Sequence, residues 1–237
     1  MDILDRLEAL ADSDYRAFNR KMIPTENRII GVRAPLLEKF SREVLAGDWR
    51  AFLETAPDDV LEVLFLKAAA VGGGQMAPDE RFDRILTFLP KIDNWAVCDT
   101  LMGWLRPAPE QLEAWFAFLP PLFTDDREFF ARFAAVMMIR FSDPGWIGRA
   151  TAALVSVRQS GYYARMGVAW ALSHLYVDFP EAVEALLEGE SLDVRTHNKT
   201  IQKIVESRRV AEGEKLRLKA LRRRNRGPGT SASPVIV

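Results

Sequence analysis

The segment KIDNWAVCDTLMGWL, residues 91–105, sets side chains of unlike kinds close together. Asp93 or Asn94 can accept backbone N–H bonds at a helix start. Trp95 and Asp99, four residues apart, then share one helix face. A carboxylate beside a broad aromatic ring is unusual in a plain core. The plainer alternative packs Trp95 inside and leaves Asp99 to cap a neighbouring helix or pair with an arginine.

Three further segments carry candidate chemistry. In SGYYARMGVAWALSHLY, Tyr163, Gly167, Trp170 and His174 follow steps of four, three and four and form one stripe. Aromatic stripes at this spacing usually belong to a core, but the polar tips of Tyr163 and His174 suit a groove lining. In REFFARFAAVMMIRFSDP, Arg132 and Arg140 flank Val136 at four-residue steps. An arginine in so apolar a helix either answers a carboxylate, for which Asp99 is the natural partner, or contacts a phosphate. In DVRTHNKTIQKIVESRRV, Arg195, Lys199 and Lys203 form a basic ladder, followed by Arg208 and Arg209. Such a ladder suits a phosphate backbone, although solvated lysines are the bland alternative.

Helices must position these groups. Ile3, Leu7 and Leu10 recur at helical steps over residues 2–12. A loop is expected around Pro24–Gly31, then a helix that starts near Pro35 and stops at Gly47. Further helices are expected near 48–55, 59–72, 78–89, 93–105, 109–118, 126–142, 144–157, 161–178, 180–188, 193–207 and 212–224. Prolines 78, 90, 107, 109, 120, 121, 144 and 180 punctuate them. Helix pairs recur at roughly 35–45 residues, the range of HEAT and armadillo units, which bury their apolar faces only by stacking. An irregular helical bundle is the alternative.

Composition narrows the function classes. The 237 residues are 49% hydrophobic and 27% charged, enough for a substantial core. No apolar run is long enough to span a membrane, and the acidic start MDILDRLEALAD is unlike a secretory signal. With one cysteine, Cys98, and two histidines, His174 and His197, the chain has too few ligands for a closed Cys/His zinc site. A cytoplasmic location is the default for so few thiols. The formal charge is −1, but residues 195–226 hold twelve Lys/Arg against three Glu, a net +9, which leaves −10 elsewhere. That asymmetry points to a basic end that meets a polyanion.

Together these segments carry a resemblance. MIPTENRIIGVRAPLLEKFSREV, DNWAVCD and YARMGVAWALSHLYVDFPEAV resemble, in this order, the AlkD family of DNA alkylation repair proteins over roughly residues 15–210. The resemblance implies an all-α fold, a HEAT-like/ARM-type α-α superhelix with a concave DNA-binding groove. It implies a DNA glycosylase that excises N3- and N7-alkylated purines from double-stranded DNA as a monomer, with no metal or organic cofactor and no membrane. Asp99 then matches the catalytic carboxylate, and Trp95 and Trp170 match the aromatic lesion contacts. Arg132 and Tyr163 would meet DNA beside them, and Arg195, Lys199, Lys203, Arg208 and Arg209 would bind phosphates.

One position departs from the pattern. The family places a groove arginine directly before a run of small residues, whereas here Phe133 precedes Ala134-Ala135 and Arg132 lies one residue earlier. One helical step turns the side chain by about 100°. Either the helix register differs and Arg132 fills the role, or the role is lost. The alternatives are a non-catalytic protein of this fold that binds damaged or branched DNA, and a protein-binding HEAT scaffold. A single domain is expected over residues 1–226, with a disordered tail over 227–237.

Overall fold

The computed structural model describes residues 3–224. The expected tail over 227–237, and Arg226 of the basic end, lie outside them. The described residues form fourteen α-helices joined by short turns, and their one β-type pairing is an isolated bridge between Arg28 and Val60. The chain is all-α.

The first two helices are α1 (Ile3–Glu8) and α2 (Ser13–Met22). The sequence predicts one helix over 2–12; the chain instead breaks after Glu8 and starts again at Ser13. The physical reason is Asp12, whose carboxylate accepts the Asp14 and Tyr15 N–H groups and so caps a new helix.

The rest of the chain alternates between two layers. One layer contains α3 (Ala34–Ala46), α5 (Leu61–Gly73), α7 (Trp95–Trp104), α9 (Glu128–Met137), α11 (Tyr162–Asp178) and α13 (Val194–Glu206), each packed on the next. The other contains α4 (Trp49–Thr55), α6 (Pro78–Phe88), α8 (Leu112–Phe118), α10 (Ile147–Val155), α12 (Pro180–Glu188) and α14 (Glu212–Ala220). The result is an α-α superhelical solenoid. The main core runs from Ile23 and Ile29 through the successive helices to Leu218. A second cluster, built on Leu7, Ile30, Val32 and Phe40, seals the N-terminal end.

Burial follows the sequence pattern. α9 is buried from Phe130 to Met137, as its near-continuous apolar run requires. α13 is two-faced: Thr196, His197, Thr200, Ile201 and Ile204 face inward, and its basic residues lie outside. The helix expected over 126–142 ends at Met137 and tightens into a 3-10 turn over Met138–Phe141.

Part of the basic C-terminal end is structural. Arg217 pairs with Glu184 of α12. Arg223 donates to Leu192 O at 3.2 Å and to Gly189 O, and its backbone exchanges two bonds with the Asn198 amide. These contacts fasten α14 onto the end of the array.

Candidate functional site

Asn94 places Trp95 and Asp99. Fully buried, its side-chain oxygen accepts the Ala96 and Val97 N–H groups at 3.0 Å and starts α7. Its amide donates to Asp93 at 2.8 Å, and Asp93 in turn accepts from Thr25 and the Glu26 N–H. The 24–27 loop is thereby tied to the first turn of α7. The Trp95 indole N–H reaches Met22 O at 3.1 Å and holds the end of α2 beside it.

Arg132 of α9 meets Asp99 edge-on. Its Nε donates to Oδ1 at 3.1 Å, and its Nη2 lies 2.9 and 2.8 Å from the two carboxylate oxygens. Its Nη1 donates to Tyr163 O at 3.0 Å. Three helices are thus joined through one guanidinium. The side chains of Asp99 and Arg132 are only 20% and 6% exposed, so the pair is weakly screened. Burial pushes the Asp99 carboxyl above the usual aspartate range, and the charge and hydrogen bonds of Arg132 oppose the rise. At the position where the sequence departs from the family pattern, Phe133 is fully buried, and Arg132 is the side chain facing Asp99.

Glycine sets the approach of α9 and α11. A Cβ on Gly167 would lie 3.2 Å from Arg132 Cγ and 3.3 Å from Arg132 O. Glu128 of α9 accepts the Tyr163 and Ala164 N–H groups and so caps α11, whose own N-cap, Gly161, has no side chain to do so. The Tyr163 ring stacks on Phe129 at 5.4 Å, and the Trp170 ring meets His174 edge-on at 5.1 Å.

These elements surround a groove of about 490 Å³ lined by Met22, Trp95, Asp99, Arg132, Tyr162, Tyr163, Met166, Trp170 and Lys203. Six residues singled out in the sequence therefore converge: Trp95, Asp99, Arg132, Tyr163, Trp170 and Lys203. His174 stands at the surface beside Trp170, where partial desolvation and the Arg209 charge lower its pKa. Cys98 is sealed in the core, where burial raises its thiol pKa and removes it as a nucleophile.

The rest of the basic ladder is spread along α13 and beyond. The Arg195 side chain is exposed and has no ion pair among the described residues, and the same holds for Arg208. Lys199 bonds Gln202 at 2.8 Å, Lys203 pairs with Glu206 at 3.2 Å, and Arg209 pairs with Asp178 at 2.9 Å. Sequence reasoning missed Met22, Tyr162 and Met166. Tyr162 and Met166 had a signal, since they lie on the same helix as the quoted stripe. Met22 had none, because its place depends on α2 crossing to Trp95.

Among the described residues, no group of three or more His, Cys, Asp or Glu could hold a metal ion, and no helix is long and apolar enough to cross a membrane.

An all-helical two-layered array with a carboxylate, aromatic rings and a lysine around one groove defines the class: a helical solenoid with an acidic–aromatic site. A family model described as DNA alkylation repair enzyme matches residues 3–204, and the chain belongs to that family. No curated protein and no solved structure matches it.

Proposed function

We propose that this protein is a DNA glycosylase that hydrolyses the N-glycosidic bond of N3- or N7-alkylated purines in duplex DNA. The observation that carries the proposal is the convergence of Trp95, Asp99 and Trp170 on one groove, the two tryptophans standing 75 residues apart in sequence.

The chemistry suits such a site. Alkylation at N3 or N7 makes the purine cationic, so it departs as a neutral base. The glycosidic bond pair leaves with the base, and the sugar is left as an oxocarbenium ion. Water adds to C1′ and loses a proton. Positive charge thus moves from base to sugar in the transition state. A carboxylate in a partly desolvated site stabilises that charge, and groups of this kind contribute about 10²–10³ in rate. Indole faces hold cationic rings by about 0.5–2 kcal/mol each. Asp99 is the electrostatic stabiliser in this reading, and Trp95 and Trp170 hold the lesion nucleotide. Tyr163 and Arg132 order the groove wall and lie beside the strand. Lys203, Lys199, Arg195, Arg208 and Arg209 meet phosphates, Lys203 and Arg209 by exchanging a surface carboxylate for one.

The test is release of free base from duplexes carrying 7-methylguanine or the neutral lesion O6-methylguanine, under single-turnover conditions. Release of the first and not the second is expected. No release of 7-methylguanine at saturating protein would contradict the proposal.

One observation favours a second reading, a non-catalytic protein that binds damaged DNA. Both oxygens of Asp99 accept bonds from Arg132, which neutralises part of the charge the reaction needs. That reading gives salt-dependent DNA binding with no base release.

A further inference from the structure

Arg140 is the arginine that the Asp99 site leaves over. It lies eight residues beyond Arg132, in the 3-10 turn that follows α9, and reaches the last turn of α7. Arg132 meets a carboxylate; Arg140 does not. Its Nη2 donates to Met102 O at 2.8 Å, and its Nε is buried without a partner among the described residues. A second arginine, Arg106, sits at the same end of α7. It is exposed, it donates to Leu105 O at 3.1 Å, and no carboxylate pairs with it among the described residues. Burial and the nearby Arg106 charge lower the Arg140 pKa, as expected for two cations with no anion between them.

The route from Asp99 to these arginines is bare. Gly103 is four residues beyond Asp99, on the same stripe of α7, and a Cβ there would meet nothing within 4 Å. A strand can therefore lie close to the α7 backbone between the two. Met102 and Leu105 are three and six residues from Asp99, about 4.5 and 9 Å along the helix axis. Each DNA strand advances about 3.4 Å per nucleotide along the duplex axis.

We propose that Arg106 and Arg140 form a phosphate clamp for a backbone position one to three nucleotides from the lesion, on the strand that crosses Gly103. This site rests on the DNA-binding reading given above, and it is built at the end of α7 and the turn after α9, on different elements from the basic ladder of α13. Two guanidinium groups anchored on the Met102 and Leu105 carbonyls, where α7 ends, offer their unused terminal N–H donors to one phosphodiester. The clamp fixes the register of the strand, so that a damaged nucleotide stops beside Asp99.

The plain alternative is that Arg140 only caps the carbonyl end of α7, with Arg106 solvated. Binding by the full chain separates the two. The probe is a fluorescent duplex with one tetrahydrofuran abasic site, titrated across a salt series against wild type, Arg106→Gln and the double variant with Arg140→Gln. The clamp should reduce the double variant's affinity about tenfold at fixed salt. Each lost contact should lower the slope of log affinity against log salt by about 0.9. A single neutral methylphosphonate, moved through the three phosphates on either side of the abasic site, should weaken wild type at one position and leave the double variant unaffected there. Arg106→Gln alters one exposed side chain, so it reports even if loss of the Arg140–Met102 bond weakens the fold. Wild-type affinity and slope in both variants would overturn the clamp alone. Absence of salt-dependent DNA binding by wild type would overturn the clamp together with the reading beneath it.

Discussion

On the proposed mechanism Asp99 must stay ionised to stabilise a cation, yet it sits where ionisation is costly. Burial raises its pKa and Arg132 restrains the rise. A protonated Asp99 is neutral and offers the sugar cation nothing. Base release should therefore fall as pH drops through the Asp99 pKa. Because that pKa is raised, the fall should begin at a higher pH than the 3.8 typical of an aspartate allows. A pH–rate profile under single turnover checks this; a flat profile down to pH 4 with the fold intact would speak against it. Arg132→Ala leaves a buried carboxylate without its partner. Removing one member of a buried pair costs about 3–5 kcal/mol, and the 20% exposure of Asp99 argues for the lower end. Chemical denaturation measures it, and a loss under 1 kcal/mol would show that solvent screens the pair. The Asp99–Arg132 pairing was legible in the sequence because an arginine in an apolar helix demands an anion. The orphaned Arg140 was not, since its four-residue spacing from Val136 is the same as that of Arg132 and only the partner on α7 differs.

α7, α9 and α11 meet at the site because small residues let them. Gly167 faces Arg132 closely enough that a Cβ would sit 3.2 Å from Arg132 Cγ. Gly167→Val adds two further methyl groups at this contact and should part α9 from α11. Overpacking of this kind costs about 1–3 kcal/mol, and the Arg132–Tyr163 bond that spans the helices should weaken with it. A thermal melt and the base-release rate should both fall; unchanged values in both would show that the approach is not tight. Most helices were legible through their caps and prolines: Asn94 starts α7, Asp193 starts α13, and Pro35, Pro78 and Pro180 open α3, α6 and α12. The break between α1 and α2 was not. The apolar steps Ile3, Leu7 and Leu10 read as one helix, and the Asp12 cap that ends that reading looks like any surface aspartate until its N–H partners are known.

Across the molecule, the layer that runs from α3 to α13 brings the candidate side chains together from four helices: Trp95 and Asp99 from α7, Arg132 from α9, Tyr163 and Trp170 from α11, and Lys203 from α13. No single segment contains the site, and stacking creates it. The charge asymmetry of the sequence marks the C-terminal end as basic, but part of that charge is structural. Arg217 and Arg223 fasten α14, while Arg195 and Arg208 stay unpaired among the described residues. The function of the whole array comes down to whether its one groove-lining aspartate changes a rate and not an affinity. Asp99→Asn preserves size and keeps one acceptor for Arg132, so the groove should persist. The decisive measurement is single-turnover release of 7-methylguanine by wild type and Asp99→Asn, paired with binding of each to an abasic-site duplex. A loss of about 10²–10³-fold in rate with affinity retained is the expected result. Equal rates from the two proteins would contradict the assignment of Asp99 as the group that stabilises the departing bond.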